Sequence, residues 1–286
     1  MAAAKAVVFA YHDVGARCLR VLLDAGVEVP LVVTHRDDPG ETIWFFSVAD
    51  FSRRRGIRVL EDPPGPELEK ELQKIQPDFI FSFYYRRMLP VSLLKKAQRG
   101  AFNMHGSLLP KYRGRAPVNW AVLNGATETG ATLHEMVEKP DAGGIVDQEA
   151  VPIGPDDLAV DVFRKVTGAA EKVLKRSIHP LVKGDVQSKP NDLSRGSYFG
   201  GRRPEDGHID WSKSAAEIHN LVRAVAPPYP GAFTEMAGGR MKILRSQHSE
   251  RKPPAGRNGP YLEAGEWFAA CGDGKVLRLL DVELPE

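Results

Sequence analysis

AKAVVFAYHDVGARCLRVLLDAGVEVPLVVTH, Ala4 to His35, decides the fold class. Its first eight residues are an apolar run of strand length. VGARCLRVLLDAG then repeats apolar residues at helical spacing and stops at Gly26, the residue that most easily takes the left-handed turn after a helix. VEVPLVVTH is a second apolar run, and Pro30 within it predicts an edge position or a bulge, because proline cannot donate to a strand ladder. Strand, helix, strand in about 30 residues is the βαβ unit of a parallel sheet.

The alternation continues outward. ETIWFFSVADFSRRRG reads as a helix closed by Gly56, and IRVLE as a short strand. PELEKELQKIQ reads as a charged helix with Leu68, Leu72 and Ile75 on one stripe, DFIFSFYY as a fully apolar strand, VSLLKKAQRG as a helix and GAFNMH as the next strand. From TGATLHEMVE the pattern becomes strand-like alternation, and GGIVDQEAVPI is a second extended run after a turn at PDAGG. DDLAVDVFRKVTGAAEKVLKRSI is a long amphipathic helix, with Asp156 and Asp157 suited to its N-terminal dipole. Beyond a polar region and the helix SAAEIHNLVRAV lies APPYPGAF, read as a connection. Short strands with GG and GDG turns follow. The expected fold is α/β: a Rossmann-like, doubly wound, mostly parallel sheet with a small C-terminal OB-like β-barrel. The expected divisions are a catalytic domain over 1–200, a helix and proline-rich linker over 201–230, and a β domain over 231–286.

Composition excludes several classes. The chain has 286 residues, 42% apolar and 27% charged, with net charge +2, so no global basic surface calls for nucleic acid. Cys18 and Cys271 are two thiols in apolar contexts, read as reduced and buried rather than as a disulfide or zinc framework. No run of 18 apolar residues or leader pattern occurs, which reads as a cytoplasmic protein without membrane insertion. The first strand–helix turn, YHDVGARC, has a single glycine and no G-x-G-x-x-G, and no P-loop occurs elsewhere.

Chemistry concentrates in FNMHGSLLPKYRGRAP, Phe102 to Pro117. Asn103 and His105 share one face of a strand, at the carboxyl end where open α/β sheets place their active sites. An imidazole suits acid–base work near neutrality and an amide suits an oxyanion; the same two residues would also serve as polar caps of a strand end. The best carboxylate to orient the imidazole is Asp141, in a Pro-Asp-Ala-Gly-Gly loop. Ser107 lacks a nucleophile-elbow context, and no second ligand stands at metal-binding spacing from His105. Lys111, Arg113 and Arg115 fit either an anion site or a solvated basic loop.

N-x-H-G-S-L-L-P-K-Y-R-G-R-A-P, followed by N-G-x-x-E-T-G-x-T-L-H and D-A-G-x-I-V, resembles the folate-dependent formyltransferases. The likeness extends through FSFYYRRML, FGGRRPEDGHIDW and RAVAPPYPGAF. It implies transfer of a formyl group from 10-formyltetrahydrofolate, a co-substrate, to an amine, with no metal. Asn103 would polarise the formyl carbonyl, His105 would move the proton, and Asp141 would hold His105 and raise its pKa. Arg87, Met88 and Leu89 would form one wall of the pterin site by their backbone, and Val137, Glu138, Lys139, Pro140 and Asp141 the other. Arg87 stands where the family pattern has histidine. Arg115, with Ser107 and Tyr112, would contact substrate.

VVFAYHDVG, THRDDPGE and FSFYYR are similar to the branch acting on the 4-amine of UDP-4-amino-4-deoxy-L-arabinose, whose members usually continue into an NAD-dependent decarboxylase domain. Other amino-sugar nucleotides are the nearest alternatives. The initiator-tRNA branch would carry a basic insertion after the second strand, where this chain has THRDDPGETIWFF, acidic and then apolar. A formyltetrahydrofolate hydrolase would bring an N-terminal regulatory domain, and a binding module without catalysis would not need all three polar matches. The expected partners are therefore small molecules, and the patterning carries no oligomeric state.

Overall fold

The computed structural model describes residues 3–285. Eight strands come first: β1 (Lys5–Ala10), β2 (Glu28–Thr34), β3 (Arg58–Glu61), β4 (Phe79–Phe83), β5 (Gly100–His105), β6 (Arg113–Gly114), β7 (Glu128–Glu135) and β8 (Ile145–Pro152). All but β6 form one seven-stranded sheet in the order β3-β2-β1-β4-β5-β7-β8. β3, β2, β1, β4 and β5 are parallel to their neighbours, and β7 turns antiparallel against β5. The mostly parallel, doubly wound sheet expected from the alternation is present.

Helices α1 (His12–Asp24), α2 (Val48–Arg53), α3 (Gly65–Ile75) and α4 (Val91–Leu94) connect the parallel strands. α1 buries Val14, Cys18, Leu19 and Leu22 and ends before Gly26, which has φ +76°. On one face of the sheet, Val7, Phe9, Leu31, Val33 and Ile80 pack with Leu68 and Leu72 of α3 and Leu93 of α4. Pro30 sits at a break in register: Lys5 pairs Glu28 but Val7 pairs Leu31, an extra residue on β2. A bulge thus accommodates the missing N–H within an interior strand.

The helix expected over ETIWFFSVADFSRRRG forms only as α2, starting where the Ser47 side chain accepts from Asp50 N–H. Residues ahead of it are drawn into other bonds. Arg86 takes Glu41 in a two-pronged pair at 2.7 Å, and Asp13 accepts from Phe46 N–H at 2.9 Å. VSLLKKAQRG likewise shortens to α4.

Helices α5 (Pro117–Leu123), α6 (Ala159–Lys183) and α7 (Ala215–Val225) follow, with β9 (Tyr198–Phe199) pairing β6. α7 starts at a reciprocal Ser214–Glu217 capping box. The C-terminal strands β10 (Ala232–Met236), β11 (Gly239–Ser249), β12 (Gly259–Glu263), β13 (Glu266–Ala270) and β14 (Val276–Glu283) form an antiparallel sheet ordered β10-β11-β14-β13-β12. Tyr261, Phe268, Ala270 and Val276 make its core.

Two compact units emerge, and their boundaries run differently from divisions at 200 and 230. One comprises the chain through Gly114, Gly130–Val151 and Lys165–Tyr198. The other groups Arg115–Thr129 and Pro152–Arg164 with Phe199–Glu286. APPYPGAF lies within the second unit, where Asn119 of α5 donates to Ala224 O and Gly231 N–H returns to Val225 O. Among the described residues no helix is long and apolar enough to cross a membrane. Cys18 and Cys271 are buried free thiols, and burial pushes the Cys271 thiol up to about 12.

Strand β7 passes so close to β8 that a Cβ on Gly130 would stand 2.1 Å from Glu149 O. Gly130→Ala is expected to cost about 1–3 kcal/mol through overpacking, read as a lower urea midpoint with unchanged slope.

Candidate active site

The register of β5 assembles the site. Asn103 lies beside Ser82 of β4 on one side and opposite His134 of β7 on the other, and His105 lies opposite Thr132. Residues 103 and 105 therefore share a face, as their spacing predicts. The cross-strand pairing adds a residue that sequence reasoning passed over. His134, wholly buried, has Nε2 3.1 Å from Asn103 Nδ2 and Nδ1 2.8 Å from Glu135 O. A carbonyl only accepts, so Nδ1 carries the proton in the neutral ring and Nε2 accepts from the Asn103 amide. One Asn103 N–H is thereby held and the other left for a ligand. His134 closes the N-G-x-x-E-T-G-x-T-L-H match and falls in the alternation of ATLHE, but neither signals its role, because its partner depends on the β5–β7 register.

Asp141 adopts φ +50° directly after Pro140. Its Oδ2 accepts from Gly114 N–H at 2.9 Å, and its Oδ1 stands 3.6 Å from His105 Nδ1 and 3.5 Å from His134 Nε2. The loop is locked from behind. Asn191 donates to the carbonyls of Asp141 and Gly143, and a Cβ on Gly143 would fall 2.0 Å from Glu135 O. Asn103, His105, His134 and Asp141 thus converge, with the acid arriving from a separate loop.

His105 is buried and donates Nε2–H to Tyr112 O at 2.8 Å. Its neutral ring therefore carries its lone pair on Nδ1, the atom facing Asp141. Burial is the largest influence on His105 and lowers its pKa; the Asp141 charge and the Tyr112 carbonyl oppose this without reversing it. Asp141 does raise the pKa of His105 relative to burial alone, but the net direction is down. Burial would raise the pKa of Asp141 itself, yet the His105 and His134 rings and the Gly114 N–H outweigh it and hold the carboxyl well below its usual range. The result is an ionised acid next to a neutral imidazole, ready to stabilise an imidazolium as it forms.

The other expected site residues divide in their placement. Ser107 is fully buried and donates its hydroxyl to Lys111 O, fastening the loop after β5. Tyr112, at φ +56°, contributes its carbonyl to His105 and its N–H to Ser197. Arg113 is buried with its guanidinium over the Tyr198 ring, while Lys111 is exposed. Arg115 is exposed in the second compact unit, where its N–H donates to Phe199 O and its side chain runs beside Gly201. Arg87 pairs with Asp62 at 3.0 Å. Leu89 packs on the core below α3 and α4, as does Met136, which precedes the acidic loop. Met88 and Val137 are exposed apolar side chains, at 63% and 44%. Glu138 and Lys139 are exposed, and Pro140 is half-buried. Among the described residues no group of three or more His, Cys, Asp and Glu side chains is gathered to hold a metal ion.

Comparison with known proteins places the chain in a family. The family model "Formyl transferase" matches residues 48–178, and "Formyl transferase, C-terminal domain" matches 202–286. Together they span about three quarters of the chain. The chain belongs to the formyl transferase family. This formyl transferase is also similar in fold to solved structures at low identity. An N-formyltransferase from Helicobacter canadensis, in complex with folinic acid and dTDP-3-aminofucose, is 22% identical with TM-score 0.77, covering 97% of this chain and 99% of that one. WlaRD, a sugar 3N-formyl transferase solved with dTDP and 5-N-formyl-THF, is 21% identical with TM-score 0.77, covering 99% and 100%. A 4-N formyltransferase from Francisella tularensis is 22% identical with TM-score 0.65, covering 82% and 94%.

Asp141→Asn removes the charge that works against burial at His105. An NMR titration of the His105 ring is expected to show a lower midpoint in Asp141→Asn than in the wild type. An unmoved midpoint would mean that the two side chains do not interact.

Proposed function

We propose that this formyl transferase moves the formyl group of 10-formyltetrahydrofolate to the 4-amine of UDP-4-amino-4-deoxy-L-arabinose, in the cytoplasm. The observation that carries the reading is the convergence of Asn103, His105 and Asp141 at the end of β5. Those three groups match what formyl transfer between nitrogens requires. The uncharged amine attacks the formyl carbon, and the carbonyl oxygen becomes an alkoxide. The Asn103 N–H not taken by His134 donates to that oxygen. The proton lost by the amine goes to His105 Nδ1, directly or through one water, and Asp141 stabilises the imidazolium. Collapse of the tetrahedral carbon breaks its bond to the folate nitrogen, and His105 returns the proton to that nitrogen. The products are the N-formyl sugar nucleotide and tetrahydrofolate.

Arg87–Leu89 and Val137–Asp141 are the proposed walls of the pterin site. Their exposed Met88 and Val137 side chains suit a flat heterocycle, and Leu89 and Met136 seat both segments on one core. Arg115 is the proposed substrate contact, through its guanidinium and an anionic oxygen. Ser107 and Tyr112 shape the same loop. The folate and sugar-nucleotide ligands of the similar solved structures support the two substrate classes. The choice of arabinose rests on VVFAYHDVG, THRDDPGE and FSFYYR; by that resemblance the product serves lipid A modification in polymyxin resistance.

With 10-formyltetrahydrofolate as donor, UDP-4-amino-4-deoxy-L-arabinose is expected to react faster than 3-amino sugar nucleotides and methionyl-tRNA. Formylation of methionyl-tRNA alone would overturn the assignment. Asn103→Ala is expected to lower kcat about 10²–10³-fold, the usual cost of one oxyanion donor, with folate affinity retained. Equal rates in variant and wild type would remove Asn103 from the chemistry.

A further inference from the structure

At the opposite margin of the same strand ends, three connections meet at His35. It follows β2, and its Nδ1 lies 2.8 Å from Asp62 Oδ1, just beyond β3. Its Nε2 lies 3.0 Å from the main-chain nitrogen of Arg86, just beyond β4. Since the Arg86 N–H can only donate, Nε2 must be unprotonated, and Nδ1–H is the proton given to Asp62. The Tyr85 ring stacks on the imidazole with centroids 4.2 Å apart and planes 13° from parallel. Asp62 is itself fixed: its Oδ2 accepts from Arg36 N–H at 2.9 Å, and its Oδ1 meets the Arg87 guanidinium at 3.0 Å.

The chain needs such a tie here. Tyr84 turns through φ +59° as β4 ends, so the segment after it leaves the sheet at an angle that no strand pairing holds. Arg86, Arg87 and Met88 are exposed, whereas the His35 side chain is nearly buried. An exposed main chain that must present its peptide groups to a ligand gains precision from a rigid support behind it.

We infer that His35 and Asp62 are positioning residues for the donor: they set the direction of the Arg86–Leu89 backbone and so the affinity for 10-formyltetrahydrofolate. This rests on the folate reading of that segment. Neither residue touches the transferred group. Asp62 selects the imidazole tautomer, the imidazole holds Arg86 N–H, and Arg87–Asp62 closes the same corner from the other side. Burial lowers the pKa of His35, with Arg86 and Arg87 acting in the same sense and Asp62 opposing, so the accepting nitrogen stays free of a proton at neutral pH.

The test uses the intact protein in three forms: wild type, His35→Leu, which has no acceptor, and His35→Gln, whose carbonyl can replace it. Asp62→Asn, which frees the tautomer, is the milder fourth form should His35→Leu fail to fold. Hydrogen–deuterium exchange of the ligand-free protein should quicken at Arg86 in His35→Leu and recover in His35→Gln. The KM for 10-formyltetrahydrofolate, and the Kd for the stable 5-formyl analogue, should rise about five- to tenfold, the loss of one hydrogen bond. The kcat and the KM for the amine should stay within about twofold. Unchanged Arg86 exchange, or a fall in kcat with an unaltered folate KM, overturns the inference. If Arg86 exchange quickens but the 5-formyl analogue fails to protect residues 86–89 even in the wild type, the folate reading of that segment fails instead, and the donor role with it.

Discussion

The site depends on one change of strand direction. Four parallel neighbours carry β5 to the point where Asn103 and His105 emerge, but a parallel β7 would have placed His134 elsewhere and sent the following loop from the wrong end. Because β7 runs antiparallel, Asn103 faces His134 directly, and the chain leaves β7 beside Phe102 and Ala101. The acidic loop then has to climb back along the sheet, which brings Asp141 to Gly114 N–H and to both imidazoles.

Electrostatics follow from that geometry. A buried imidazole and a buried carboxylate would each, alone, prefer the neutral state. Together they divide the outcome: the Gly114 N–H and the two nearby imidazoles hold Asp141 ionised, while His105 stays neutral because burial outweighs the nearby charge. At 3.6 Å the neutral ring and the carboxylate share no hydrogen bond, and attraction between them develops only as Nδ1 takes up a proton. The base is neutral at rest and its protonated form has a partner waiting. The Tyr112 carbonyl completes this by taking the other ring proton, so a left-handed turn in the basic loop decides which nitrogen carries the lone pair.

Misread segments share a cause. Residues 41–47 have helical apolar spacing, yet Glu41 and Phe46 N–H are captured by Arg86 and Asp13, partners 45 and 33 residues away. Arg113 reads as either an anion ligand or a base of a solvated loop and Ser107 as a substrate contact, but packing lays the first over Tyr198 and turns the hydroxyl of the second inward to Lys111 O. His35 and Asp62 carried no local signal, since each is an ordinary polar residue at a strand end until three connections meet there. Propensity and periodicity report a residue's neighbours in sequence, and these roles were assigned by distant ones.

Sequence alone determined the strand–helix alternation, the bulge-prone Pro30, the end of α1 at Gly26, and the placement of Asn103 and His105 on one face. All of these depend on interactions within a few residues, where a period of 2 or 3.6 suffices. It also singled out Asp141 through its Pro-Asp-Ala-Gly-Gly context. Only the tertiary structure decided that His134 meets Asn103 across 31 residues, which ring nitrogens carry protons, and that His35 supports Arg86 across 51. Strand register and loop return set those contacts, and both are fixed by burying the whole sheet at once.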